Sequence, residues 1–135
     1  MPAAQPCHVL VVDDYKDSAD ALVLLLRLEG LDAMACYSAD AGWQAAQALQ
    51  PKVVIAEPST WGQGLDGLQL AHLLNEQAGD EILLLAMGTS TQKQDHARAL
   101  QAGFSAYFVK AHGGMDLVEL VRHWIRLPAR PMVLH

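Results

Sequence analysis

At 135 residues the chain can form one compact domain but not two ordinary ones. With 52% hydrophobic and 18% charged residues it is globular rather than disordered, and a formal net charge of -6 repels nucleic acid. No apolar run approaches the roughly 20 residues that span a bilayer, and residues 1–8 lack the basic stretch and apolar core of a signal peptide. A cytoplasmic protein with no membrane partner and no nucleic-acid partner is expected.

The first apolar strand is expected at residues 8–12. A helix over 16–29 follows. Helical spacing assigns Ala21, Leu22, Leu25 and Leu28 to one face, and Gly30 ends the helix as a left-handed cap. A second strand at 32–36 leads to Ser38, which caps a helix over 39–49 that stops before Pro51. The third strand, 52–57, opens into a loop rich in Gly, Ser, Thr and Pro that runs from Pro58 to Leu65. Asp66 then caps a helix over 67–77. A fourth strand at 81–87 precedes a helix capped at or beside Thr91 and ending at Ala102 and Gly103. A fifth strand at 105–109 and a last helix over 115–126 complete the pattern. Residues 1–7 read as an N-terminal extension, 8–126 as the domain, and 127–135 as a tail whose two prolines deny it a helix.

Five short apolar strands alternating with five helices predict an α/β fold: a doubly wound parallel sheet covered on both faces, with right-handed crossovers. Such a sheet carries its ligand site at the carboxyl ends of its strands. Asp13, Asp14, Glu57 and Lys110 stand at three such ends. One charged residue after a strand only marks where the strand meets water. Four residues of both signs at three ends point to a site. Cys7 opens the first strand and Cys36 closes the second, too far apart along parallel strands to bridge, so both are expected as free thiols. The histidines show no metal-ligand spacing. No Gly-rich phosphate loop follows the first strand and no nucleophile elbow is present, so no enzymatic activity is expected.

Several segments carry a family resemblance. They are Val11-Val12-Asp13-Asp14, the run from Asp17 to Leu22, Asp66-Gly67, the run from Ala99 to Phe104, and Lys110. Over residues 8–110 the chain resembles the receiver domains of response regulators in two-component phosphorelay signalling. Its first helix is similar to those of receivers attached to hybrid histidine kinases. The resemblance implies a flavodoxin-like sheet of strand order 2-1-3-4-5. It also implies a mechanism. An aspartate after the third strand accepts a phosphoryl group from a histidine kinase or phosphotransfer protein. Two acids after the first strand hold Mg2+. A Ser or Thr after the fourth strand and a lysine after the fifth contact the phosphoryl group. An aromatic residue on the fifth strand then turns inward.

Asp13, Asp14 and Lys110 match that pattern, and Tyr107 holds the aromatic switch position. Three positions depart from it. Glu57 stands where the phosphoacceptor aspartate belongs. Gly88 aligns with the Ser/Thr, with Thr89 a substitute only if the loop shifts by one residue. Ala111 replaces the proline that follows the lysine. The loop before Asp66 is also two residues longer than usual.

Glu57 keeps the charge but moves the carboxylate out by one methylene, and a misplacement of about 1 Å costs roughly 100-fold in a step that depends on in-line geometry. A cis bond before alanine costs about 3–4 kcal/mol, so a trans peptide is expected at 110–111, with Lys110 displaced.

The expected function is therefore that of an atypical receiver, a phosphorylation-independent interaction module. The alternative is a working Mg2+-dependent phospho-receiver. Glu57 is expected to reach Lys110. Mg2+ at Asp13, Asp14 and Glu57, with the Ser59 carbonyl, is expected to bind weakly or not at all. The expected partner is a signalling protein: a histidine kinase, a phosphotransfer protein or an effector. It would dock on the fourth helix, fifth strand and fifth helix. A homodimer through that face or the tail is a further expectation. Trp43 and Trp124 read as packing residues. Trp61 is either packed on its own domain, a cover for the acidic pocket, or a partner anchor.

Overall fold

The computed structural model describes residues 7–126. Its sheet is built from strands β1 (Val9–Val12), β2 (Ala33–Cys36), β3 (Val53–Ala56), β4 (Leu83–Gly88) and β5 (Ala106–Val109), interleaved with helices α1 (Lys16–Leu28), α2 (Ala39–Leu49), α3 (Gly67–Ala78), α4 (Lys93–Ala102) and α5 (Met115–Arg126). The strand order is β2-β1-β3-β4-β5 and every pairing is parallel, as expected. The strands fall within two residues of their expected bounds. The extension before Cys7 and the tail at 127–135 lie outside the described residues.

β1 and β3 are buried along their whole length because both faces of the sheet are covered. Their side chains alternate between two cores. Leu10, Val12, Val54, Ala56, Leu84 and Ala86 pack with Leu70, Leu74 and Phe104 on the side of α2, α3 and α4. Val9, Val11, Val53, Ile55 and Leu85 pack with Leu22, Leu26, Leu117 and Val121 on the side of α1 and α5. Trp43 and Trp124 lie partly buried against these cores, as expected.

One local expectation is corrected. The buried face of α1 is Ala19, Leu22, Val23 and Leu26, while Leu28 is exposed. Residues 21–26 are apolar without a break, so periodicity left the phase of the helix open. Only contact with the sheet settles it. α4 is capped beside Thr91, as read. Gln92 holds that position without a side-chain bond, and Ser90 Oγ accepts from the Gln92 N–H at 3.0 Å. Other caps stand as read. Ser38 Oγ accepts from Ala41 N, and Asp66 and Gln69 form a reciprocal capping box at 2.8 and 2.9 Å. Gly30 takes φ +86° after α1.

Cys7 and Cys36 are buried and unbridged. Burial raises both thiol pKa values, and only the thiolate is a nucleophile. Both cysteines should therefore resist a thiol reagent at neutral pH in the native protein and react at once in denaturant. Rapid native labelling would contradict their placement in the core.

Candidate functional site

The parallel register brings the strand ends together at one rim. Val12 pairs with Ala56, and Ala56 with Ala86, so Asp13, Glu57 and the end of β4 stand side by side. Asp13 N–H donates to the Cys36 carbonyl at 3.0 Å and Glu57 N–H to the Val12 carbonyl at 2.9 Å. The ladder thus fixes both acids at their roots. Lys110 follows β5 and opens a short 3-10 turn, Lys110–His112.

Lys110 is not displaced. The 110–111 peptide is trans, there being no cis bond among the described residues. Lys110 Nζ lies 2.6 Å from Asp13 Oδ2 and 3.4 Å from Glu57 Oε1. Glu57 therefore reaches the lysine as expected. Burial alone would lower the Lys110 pKa. The hydrogen bond and charge of Asp13, followed by Glu57, outweigh that effect and raise it.

The backbone satisfies what the lysine leaves over. Asp13 Oδ1 accepts from Tyr15 N–H at 2.9 Å. Glu57 Oε2 accepts from the amide of Ser59 at 3.2 Å and from its hydroxyl at 3.1 Å. Asp14 lies apart from this cluster, and its Oδ2 accepts from Trp61 N–H at 3.3 Å. Among the described residues no three acidic, histidine or cysteine side chains gather as a metal-binding group. The structure joins Asp13 to Glu57 through Lys110 and leaves Asp14 with the loop.

That loop is tied down at each end. Thr60 N–H donates to the Glu57 carbonyl at 2.9 Å and Gly67 N–H to the Thr60 carbonyl at 3.0 Å. The Trp61 carbonyl accepts from Ala39 N–H at 3.2 Å, and Gly64 N–H donates to Asp40 at 3.1 Å. Gly67 has to be glycine, since a Cβ would run into the Glu57 and Pro58 carbonyls. The cavity bounded by Asp13, Glu57, Met87 and Lys110 has a volume of about 10 Å³. That is barely the space one water needs.

A magnesium ion keeps several waters in an octahedron. The residues as arranged do not fit one, because the ammonium sits on Asp13 and Glu57 and the Trp61 amide holds Asp14. Ser59, expected to offer its carbonyl to the metal, gives its amide and hydroxyl to Glu57.

Gly88 ends β4 next to the Glu57 carboxylate, while Thr89 is exposed. The loop has not shifted, so Thr89 does not replace the missing hydroxyl. The Tyr107 ring turns in towards Gly88, and its hydroxyl accepts from Ser90 N–H at 3.2 Å.

The arrangement is that of a receiver. The sequence matches the response regulator receiver domain family over residues 9–122. The chain belongs to that family. Among its relatives is the DNA-binding response regulator MtrA of Mycolicibacterium paratuberculosis, 29% identical over 119 residues, or 88% of this chain and 51% of MtrA. The receiver thus spans about half the length of MtrA. An uncharacterized 14.6 kDa protein of Leptolyngbya boryana is 26% identical over 117 residues, 86% of this chain and 88% of its own. Solved folds agree. A Francisella response regulator receiver domain superposes with a TM-score of 0.77 at 19% identity, covering 89% of this chain and 96% of that one. The signal receiver domain of a DNA-binding response regulator from Colwellia psychrerythraea gives 0.77 at 20%, covering 88% and 98%. The protein is thus a response-regulator receiver domain of two-component signalling.

Sequence reasoning missed two contributors to this receiver site, Ser90 and His96, and assigned Ser59 to the metal rather than to Glu57. Ser59 had a local signal, since a serine two residues beyond an acidic side chain commonly closes a hydrogen-bonded turn. Ser90 and His96 gave none, because their partner Tyr107 is distant in sequence. Trp61 is 72% exposed and does not line the acidic cavity. Two of its three expected roles, packing on its own domain and covering the pocket with its ring, are therefore corrected.

Proposed function

We propose that this receiver domain acts as a phosphorylation-independent protein-interaction module. One observation carries the reading: Lys110 Nζ stands between Asp13 and Glu57, at 2.6 and 3.4 Å. Glu57 carries the single negative charge of an aspartate, set one methylene further out towards where a phosphoryl group would stand. The cation that the acids need is already there on Lys110. Mg2+ would have to displace the lysine from Asp13 and the Trp61 amide from Asp14, which supports weak or negligible binding.

Glu57 lies one methylene beyond the acceptor position, and its oxygens are already engaged. Gly88 supplies no hydroxyl. These features support a domain that has no enzymatic step and stays in one signalling state. On this reading it sits in the cytoplasm, consistent with no helix among the described residues being long and apolar enough to cross a membrane. Its partner is a signalling protein, either a histidine kinase, a phosphotransfer protein, an effector or a second copy of the chain. The contact face is α4, β5 and α5. With a net charge of -6 the domain itself leaves nucleic acid alone.

The test is intact mass after incubation with a small phosphodonor and excess Mg2+. The chain should keep its mass. A gain of one phosphoryl group would overturn the proposal in favour of a working phospho-receiver.

A further inference from the structure

A glycine in a strand is needed either for its backbone freedom or for the space it leaves. Gly88 has no positive φ, so the backbone does not demand it. The space does. A Cβ built at residue 88 would overlap the Tyr107 hydroxyl and lie 2.9 Å from Glu57 Oε2, closer than real Cβ contacts come. A side chain at 88 would therefore force the inward ring of Tyr107 to shift.

The ring is also held from outside. Its hydroxyl accepts from Ser90 N–H at 3.2 Å. His96 stacks on it with ring centroids 3.8 Å apart and planes 20° from parallel. His96 is positioned in turn by a 2.7 Å hydrogen bond from Nε2 to the Ser90 carbonyl. Ser90 Oγ donates to Asp95 at 2.6 Å and accepts from Gln92 N–H at 3.0 Å. These contacts tie the β4–α4 loop, the first turns of α4 and the middle of β5 into one unit. The carboxylate of Glu57 makes no hydrogen bond to the tyrosine.

We infer that Gly88 is the positioning residue that holds Tyr107 inward, so that the shape of the α4–β5 face is set by a side chain missing from β4 rather than by the charge at residue 57. The inference rests on the proposed phosphorylation-independent reading and deepens it, because it names what fixes the state. Burial raises the Tyr107 pKa, with the Glu57 charge adding to it and the Ser90 N–H opposing. The phenol therefore stays neutral inside the site at physiological pH.

Nitration of tyrosines by tetranitromethane, mapped by mass spectrometry, tests this on the full chain. Tyr15, 65% exposed, is the internal standard. In the wild type Tyr107 should be nitrated several-fold more slowly than Tyr15. Gly88→Ala should bring it up to the Tyr15 rate, with far-ultraviolet circular dichroism unchanged. Glu57→Gln should leave Tyr107 protected. Protection persisting in Gly88→Ala would overturn the inference, as would Glu57→Gln exposing Tyr107 equally. A double-mutant cycle covers a poorly folding variant. Gly88→Ala should cost clearly less stability in a Tyr107→Ala background than in the wild type, and additive costs would also overturn it. Neither readout involves phosphate. Failure here therefore leaves the mass test of the proposed function standing, and a phosphorylated wild type would overturn that function without touching the steric coupling.

Discussion

Replacing Lys110 with methionine is expected to destabilise the fold by about 3 kcal/mol, the low end of what breaking a buried ion pair costs. Asp13 and Glu57 are only 4% and 8% exposed, and the ammonium is their shared counter-charge. Without it, two like charges face each other. At a separation of about 4 Å they repel by roughly 4 kcal/mol at an effective dielectric near 20. Water reaches part of the cluster, since the lysine side chain is 20% exposed, and that screening places the expected cost at the low end. Denaturant midpoints of the two proteins measure the effect. Adding Glu57→Gln to Lys110→Met should recover part of the loss, because a neutral amide ends the repulsion. An unchanged midpoint for Lys110→Met would mean that the cluster is not held by its lysine.

The same ion pair has a pH signature. The Lys110 pKa is raised above its ordinary 10.5 in the folded protein. A lysine whose folded pKa exceeds its unfolded one contributes its full stabilisation below the unfolded value and loses it as pH rises through the folded value. The wild type should therefore lose stability in an alkaline window above about 10.5. Lys110→Met should show that loss in weaker form.

Shortening Glu57 to aspartate is the second large effect. The wild-type carboxylate, one methylene further out than an aspartate's, is engaged by Lys110 and Ser59. In-line phosphoryl transfer depends on near-attack placement, and an error of about 1 Å is worth roughly 100-fold. Glu57→Asp pulls the carboxylate back to the length that receivers use. It should gain one phosphoryl group from a small phosphodonor with Mg2+, at a rate at least about 100-fold above any wild-type background. The gain should be slow beside that of an ordinary receiver, because Gly88 still lacks the hydroxyl and the loop after β3 still holds Asp14. A variant that stays unmodified would move the block from Glu57 to that loop and to Gly88.

The fold was legible because its signals are local and repeated. Apolar strands such as Val9–Val12 and Val53–Ala56, capping residues such as Ser38 and Asp66, and the stop at Gly30 each act within a few residues of themselves. α1 shows where that legibility ends. Six consecutive apolar residues have no phase until a sheet is laid against them.

The sequence by itself determined the parallel α/β architecture, the rim where Asp13, Glu57 and Lys110 meet, and the three departures from the family pattern. Tertiary structure alone decided that Lys110 also pairs with Asp13, that the Trp61 amide takes Asp14 away from them, and that Tyr107 fills the space Gly88 leaves. The physical reason is range. Strand and helix patterns arise from neighbours along the chain, whereas Lys110 and Asp13 are 97 positions apart and meet only once the sheet has set their register.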